Sequence, residues 1–169
     1  MATTQLPQLT IGEALSSACN KIFQFNGRAR RSEYWWTMLV VAIISALTYA
    51  TGIVPFILEL LTIPLTFRRL HDTGRSGWWW GAGIIAYVVL IFIFIVGFLV
   101  SAVSSSAFGF SAADVSALMG KALILGGLYV IYRIVLLVFL CSDSEPFTNQ
   151  YGESPKYPEE EDGAQDYVI

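Results

Sequence analysis

The sequence predicts an all-α integral membrane protein: a four-helix bundle preceded by an N-terminal amphipathic helix. Three observations carry this reading. The 169 residues are 55% apolar and only 14% charged, with a mean hydropathy of +0.60, which is too apolar for a water-soluble domain of this size. Between residues 34 and 141 lie long runs in which nothing ionises, and runs of about 18 or more apolar residues read as transmembrane helices. Charge is also sorted by position: arginines crowd beside the apolar segments, while Glu159, Glu160, Glu161, Asp162 and Asp166 crowd the tail. The formal net charge of -3 therefore hides the feature that sets orientation.

The first element is a helix beginning near Ile11. Ile11, Leu15, Ala18 and Ile22 recur at helical spacing, and Thr10 with Glu13 forms the Thr-x-x-Glu pattern of a capping box. Residues 1–32 are read as this amphipathic helix and a basic, cytoplasmic turn. The opening residues lack a positively charged start and short apolar core, so the first span is expected to be an uncleaved anchor. In "FNGRARRSEYWW" a turn at Asn26 and Gly27 leads through three arginines to Ser32 and Glu33, which suit a helix start. The first span is placed at about residues 34–51, with Tyr34, Trp35 and Trp36 at the interfacial belt.

The second segment, about residues 53–67, is short. At about 1.5 Å per residue it covers roughly 22 Å of a hydrocarbon core about 30 Å thick, and it holds Pro55, Glu59 and Pro64. Crossing is nevertheless expected, because it places Arg28, Arg30 and Arg31 on the same side as Arg68, Arg69 and Arg75, as the positive-inside rule requires. The third span, about residues 78–100, opens on Trp78, Trp79 and Trp80. The serine-rich stretch after it reads as an outer loop, with Ser111 and Asp114 starting a short helix into the fourth span at about 122–141. Residues 142–169 are left as a cytoplasmic tail, an ordered stub with a disordered acidic end. Both termini are then cytoplasmic.

Few residues here carry chemistry. Cys19 and Cys141 have no metal-ligand spacing and read as small apolar fillers, so neither metal nor cofactor is expected. His71 beside Asp72 suggests an acid–base dyad, yet neighbours on a helix point about 100° apart, and no nucleophile elbow or phosphate loop accompanies them. Arg28, Arg31, Arg68, Arg69 and Arg75, with Trp78 and Trp79, are the candidate contacts for anionic lipid headgroups. The blander alternative has the same arginines fixing topology and pairing with Glu33 and Asp72. Glu59 and Arg133 are the ionisable groups inside predicted spans, each costing about 2.5–3.5 kcal/mol if unpaired near the centre. Their depths differ by about 8 Å, so an interhelical ion pair is expected.

Three blocks, "FNGRARRSEYWW", "IPLTFRRLHDTGRSGWWW" and "TNQYGESP", together resemble a family of small bacterial inner-membrane proteins, the YhaH-like proteins or domain of unknown function 805. The residues matching its pattern are Gly27, Glu33, Tyr34, Trp35, His71, Asp72, Gly74, Ser76, Gly77, Asn149, Tyr151 and Gly152. The resemblance implies a multi-pass protein of the bacterial inner membrane and no established reaction. The function expected is a non-enzymatic membrane component whose arginine- and tryptophan-rich cytoplasmic face contacts anionic lipid or a protein partner, with self-association possible and no nucleic acid. The alternatives are a small transporter or channel using Glu59 and Arg133 and, more remotely, a lipid-modifying enzyme using His71 and Asp72.

Overall fold

The computed structural model describes residues 6–108 and 112–157. Five α-helices follow one another: α1 (Ile11–Asn20), α2 (Arg31–Leu47), α3 (Ile53–Asp72), α4 (Trp78–Phe108) and α5 (Ala112–Cys141), with a 3-10 turn at Tyr49–Thr51. Among the described residues there is no strand, only an isolated bridge between Asn149 and Gly152. The chain divides into two compact units. One comprises Met1–Gly77 with Phe139–Ile169, the other Trp78–Val138.

In the first unit α1 begins as its sequence dictates. The Thr10 hydroxyl accepts from the Glu13 amide, and the Glu13 carboxylate returns the contact to the Thr10 amide. The helix is shorter than the spacing suggests, and it buries Ala14 and Ala18 while Ile11 is exposed. It packs on α2, which packs in turn on α3. Arg30 donates to the Pro7 carbonyl, and the Leu9 amide to the Ser32 hydroxyl, so the segment before α1 is tied to the start of α2.

Helix boundaries differ from expectation in a consistent direction. The helix α3 runs on through Arg68, Arg69, His71 and Asp72, which the sequence reading placed in a turn. Its 20 residues reach about 30 Å, but the added turn carries Arg68, Arg69, His71 and Asp72, so the apolar part remains the roughly 22 Å of residues 53–67. The reason for the longer helix lies in the last turn, where arginine, leucine and histidine sustain a helix and are held by buried partners. The stretch expected as an outer loop is also largely helical: α4 continues to Phe108 and α5 already begins at Ala112. Alanine is the best helix former and serine no breaker, so low charge there does not mean irregular structure. Residues 109–111 and the acidic end 158–169 lie outside the described residues.

Two segments, Trp78–Val100 and Met119–Cys141, are long and apolar enough to cross a membrane. The helix α2 has 17 residues, and α3 carries Glu59, Arg68, Arg69 and Asp72. Within the second unit Tyr132 donates to the Trp79 carbonyl, and its ring lies where a side chain on Gly83 would be.

Candidate functional site

The three blocks converge in the first unit, and they build a buried polar knot. Its centre is Asp72, the last residue of α3 and fully buried. Arg28 Nε donates to Asp72 Oδ1 at 3.1 Å, and Arg69 Nη1 to Asp72 Oδ2 at 2.5 Å. The Ser144 hydroxyl adds a third donor at 2.5 Å. Burial works against both charges, raising the Asp72 carboxyl and lowering the Arg69 guanidinium; three donors on two oxygens counter it by favouring the carboxylate.

Arg28 does more than neutralise Asp72. Its Nη1 donates to the carbonyls of Phe147 at 2.8 Å and Gly152 at 3.2 Å, and its Nη2 to those of Glu145 at 2.5 Å and Asp72 at 3.3 Å. A planar fork of five donors suits this work and an ammonium does not. Residues 142–157 thus form a strap closed around one side chain. Arg69 holds the strap's start, donating to the carbonyls of Leu140 at 3.0 Å and Ser142. The expected ordered stub is therefore a folded part of the unit, with Ser144 and Ser154 buried.

His71 and Asp72 do not form a dyad. The imidazole Nδ1 faces the Gly27 carbonyl at 3.2 Å, which makes it the protonated nitrogen. The ring stacks on Tyr151 with centroids 3.7 Å apart and planes within 3°. Asn149 sets that tyrosine: its side chain donates to the His71 carbonyl at 3.1 Å and to Glu145 at 2.8 Å, and accepts from the Tyr151 amide. The glycines of the second block have steric reasons. Gly74 has a φ of 69° with the Glu145 carboxylate where its Cβ would stand, and at Gly77 that place is taken by the Phe67 ring.

Burial lowers the His71 imidazole from its ordinary 6.5, with the Gly27 carbonyl opposing. The folded state favours the neutral ring, so below pH 6.5 the unfolded chain binds more protons and stability falls. As His71 is the only histidine, His71→Gln is expected to remove the loss in thermal midpoint between about pH 7.5 and pH 5.5. An unchanged slope in the variant would assign the acid sensitivity to carboxylates.

Arg68 is a separate buried pair. Its Nη1 meets Glu33 Oε1 at 2.9 Å, with both side chains at most 5% exposed. Its Nε and Nη2 are buried with no partner among the described residues. Arg28, Arg68 and Arg69, expected at a headgroup surface, are thus 6%, 1% and 0% exposed and committed inward. Arg31 is outward, paired with Asp143 at 3.3 Å, and the Arg75 guanidinium lies 4.0 Å over the Phe139 ring. Trp78 and Trp79 are 70% and 43% exposed, whereas of the first aromatic pair Tyr34 is buried and Trp35 exposed. Glu59 and Arg133 are exposed in their own units, one in each. Cys19 and Cys141, expected as apolar fillers, are exposed free thiols.

The sequence reading missed Ser144 and Glu145, whose only signal is nearness to the third block, Ser154, which lies within that block without being singled out, and Thr37, Thr62 and Thr66, buried along α2 and α3. Each of those threonines donates to a carbonyl of its own helix, a role that leaves no mark in the sequence.

Comparison with known proteins agrees with the three blocks. The chain matches the family model described as "Protein of unknown function (DUF805)" over residues 22–58 and 45–153. It is 30% identical over 145 residues to the inner membrane protein YhaI of Escherichia coli strain K12, covering 79% of this chain and 86% of that protein. To the inner membrane protein YhaH of the same strain it is 38% identical over 74 residues, 32% of this chain and 59% of that one. No solved structure matches.

Proposed function

Because the chain belongs to the family described as "Protein of unknown function (DUF805)", whose relatives named above are inner membrane proteins, we propose that it is a non-enzymatic component of the bacterial inner membrane. In this reading α4 and α5 cross the bilayer, residues 34–51 and 53–67 cross as a hairpin with the polar knot outside the hydrocarbon, and both termini are cytoplasmic. The polar knot is the structural device that fastens the strap to the head of α2 and the end of α3. A basic rim of Arg31, Arg75 and Lys156 contacts anionic headgroups, and Trp78 and Trp79 settle at headgroup depth.

The observation that carries it is the division of labour among arginines. Arg28, Arg68 and Arg69 are buried on carboxylates and carbonyls, so headgroup contact falls to the basic groups left outward, and 46% of the Arg31 side chain is exposed. His71, stacked and facing a carbonyl, is read as a packing residue without a catalytic role. The full-length protein in nanodiscs of phosphatidylglycerol is expected to unfold at a higher temperature than in phosphatidylcholine. That gain should shrink with added salt and be lost in the Arg31→Gln, Arg75→Gln, Lys156→Gln variant, since each surface cation near anionic lipid is worth about 1 kcal/mol. Equal midpoints in the two lipids would overturn headgroup contact and leave a protein partner for that rim.

A second reading has one observation in its favour. Glu59 and Arg133 are exposed within otherwise apolar helix faces, and an unpaired charge inside the bilayer is costly and usually functional. A small transporter or channel would pair the two. Ion flux in proteoliposomes that disappears in both Glu59→Gln and Arg133→Gln would favour it over the non-enzymatic reading.

A further inference from the structure

The second unit carries a feature that the polar knot does not use. Tyr132 binds the Trp79 carbonyl near one end of the α4–α5 pair, and the rings of Tyr87, Tyr129 and Tyr132 succeed one another at 5.9 Å and 6.4 Å. Further along, a groove of about 510 Å³ lies between the helices, within the size range of small-molecule sites. It is lined by Leu90, Ile91 and Phe94 of α4 and Leu125 and Gly126 of α5, and every other lining residue except Lys121 is apolar.

The place of Lys121 along the span gives the groove its chemistry. It is the third residue of the apolar segment Met119–Cys141, so about 30 Å of helix separates it from Cys141. That is the thickness of the hydrocarbon core, so, resting on the proposed crossing of α5, an ammonium at this position sits at headgroup level. Leu125 and Gly126 lie about one turn deeper. The groove therefore starts at the lipid–water boundary beside a fixed positive charge and continues into the bilayer as an apolar slot.

Water does not suit such a slot, which offers it no hydrogen-bonding partners beyond the rim. A free anion would use the ammonium and none of the apolar wall. A helix from a second copy would use the wall but would cover Lys121 and so desolvate its ammonium. One occupant matches both halves. We propose that the α4–α5 groove holds an acyl chain of an anionic phospholipid whose phosphate is met by Lys121. The site uses none of Arg31, Arg75 and Lys156, so it stands apart from headgroup contact at the basic rim.

The test uses the full-length protein carrying Arg31→Gln, Arg75→Gln and Lys156→Gln, so that the basic rim adds no lipid preference of its own, delipidated in mild detergent, with lipid retention read by native mass spectrometry. Phosphatidylglycerol is expected to be retained about fivefold over phosphatidylcholine, the worth of one cation beside a net anionic headgroup, because the choline of phosphatidylcholine offsets the charge of its phosphate. Lys121→Gln should erase that preference and Lys121→Arg keep it. Gly126→Leu should lower retention of both lipids by filling the slot. Nothing lies within 4 Å of a Cβ added at Gly126, and leucine favours a helix over glycine, so this variant is expected to fold; an unchanged thermal midpoint checks it. A preference that survives in Lys121→Gln, or a Gly126→Leu variant that retains both lipids normally, overturns the proposal. So does displacement of phosphatidylglycerol by inorganic phosphate, which would mean an anion site without a chain. A change of oligomeric state in Gly126→Leu would likewise overturn it, assigning the groove to a second copy.

Discussion

Arg28→Met is expected to release the strap. In the native unit this guanidinium donates to the Asp72 carboxylate and to four backbone carbonyls, those of Asp72, Glu145, Phe147 and Gly152. Methionine fills a similar length and meets none of them. Asp72 would keep Arg69 and Ser144 but lose the partner on Oδ1, and removing one partner of a buried charge costs about 3–5 kcal/mol. The Gly152 carbonyl would keep the Asn149 amide at 3.1 Å, whereas the Phe147 carbonyl would lose its guanidinium. Hydrogen exchange over residues 142–157 is the direct measurement, and tryptic cleavage after Lys156, which pairs with Asp143 at 2.7 Å in the folded strap, is the simpler one. Both should rise sharply in Arg28→Met and rise in Arg28→Lys as well, because one ammonium cannot span the same acceptors. Should Arg28→Met fail to fold, Asn149→Ala probes the strap alone, removing the side-chain bonds to His71 and Glu145. A strap equally protected in these variants and in the wild type would show that the knot does not hold it.

Arg68 and Glu33 are expected to behave differently as singles and as a double. Arg68→Met leaves Glu33 buried with its charge unpaired, and Glu33→Leu leaves a buried guanidinium with no carboxylate, so each single change should cost about 3–5 kcal/mol. The double variant should recover most of this. Arg68 already carries two buried nitrogens without a partner among the described residues, so the native pair bears a desolvation cost that its one bond at 2.9 Å only partly offsets. Thermal or denaturant unfolding of the four proteins gives a coupling energy. A double variant as unstable as the sum of the singles would mean that the pair's value lies in its surroundings and not in the contact between the two charges.

These two expectations change what the arginine-rich blocks mean. Seen along the chain, Arg28, Arg68 and Arg69 stand beside apolar segments, where orientation in a membrane would select them. In three dimensions they are among the most buried side chains of the first unit, with Leu70 and Asp72. A motif that looks like a surface for phosphate is here a core for a backbone strap. The basic groups it leaves partly exposed are Arg31, Arg75 and Lys156, two of them held on Asp143, and of these Lys156 has no place in the motif.

Much of the architecture was legible because it depends on local chemistry. The capping box at Thr10 and Glu13 formed as its spacing requires, and α4 begins at Trp78 where the tryptophan run begins. The expected pairing of arginines with Glu33 and Asp72 is present in three salt bridges. The end of α3 was misplaced because charged residues after an apolar run look like a turn until their partners are known. The outer stretch was misread for a related reason: scarcity of charge separates inside from outside, but it does not separate helix from loop.

Composition and charge placement by themselves determined the solvent of this protein, its helical class and its family, since apolar length, capping patterns and short motifs are properties of residues near one another in the chain. Only the tertiary structure decided which arginines are buried. Arg28 is 44 residues from Asp72 and 124 from Gly152, and no local pattern records that a guanidinium will be desolvated by carbonyls so far away. The backbone had to fold before those carbonyls existed as a site, and once they did, burial turned a positive charge from an interfacial label into a structural fastener.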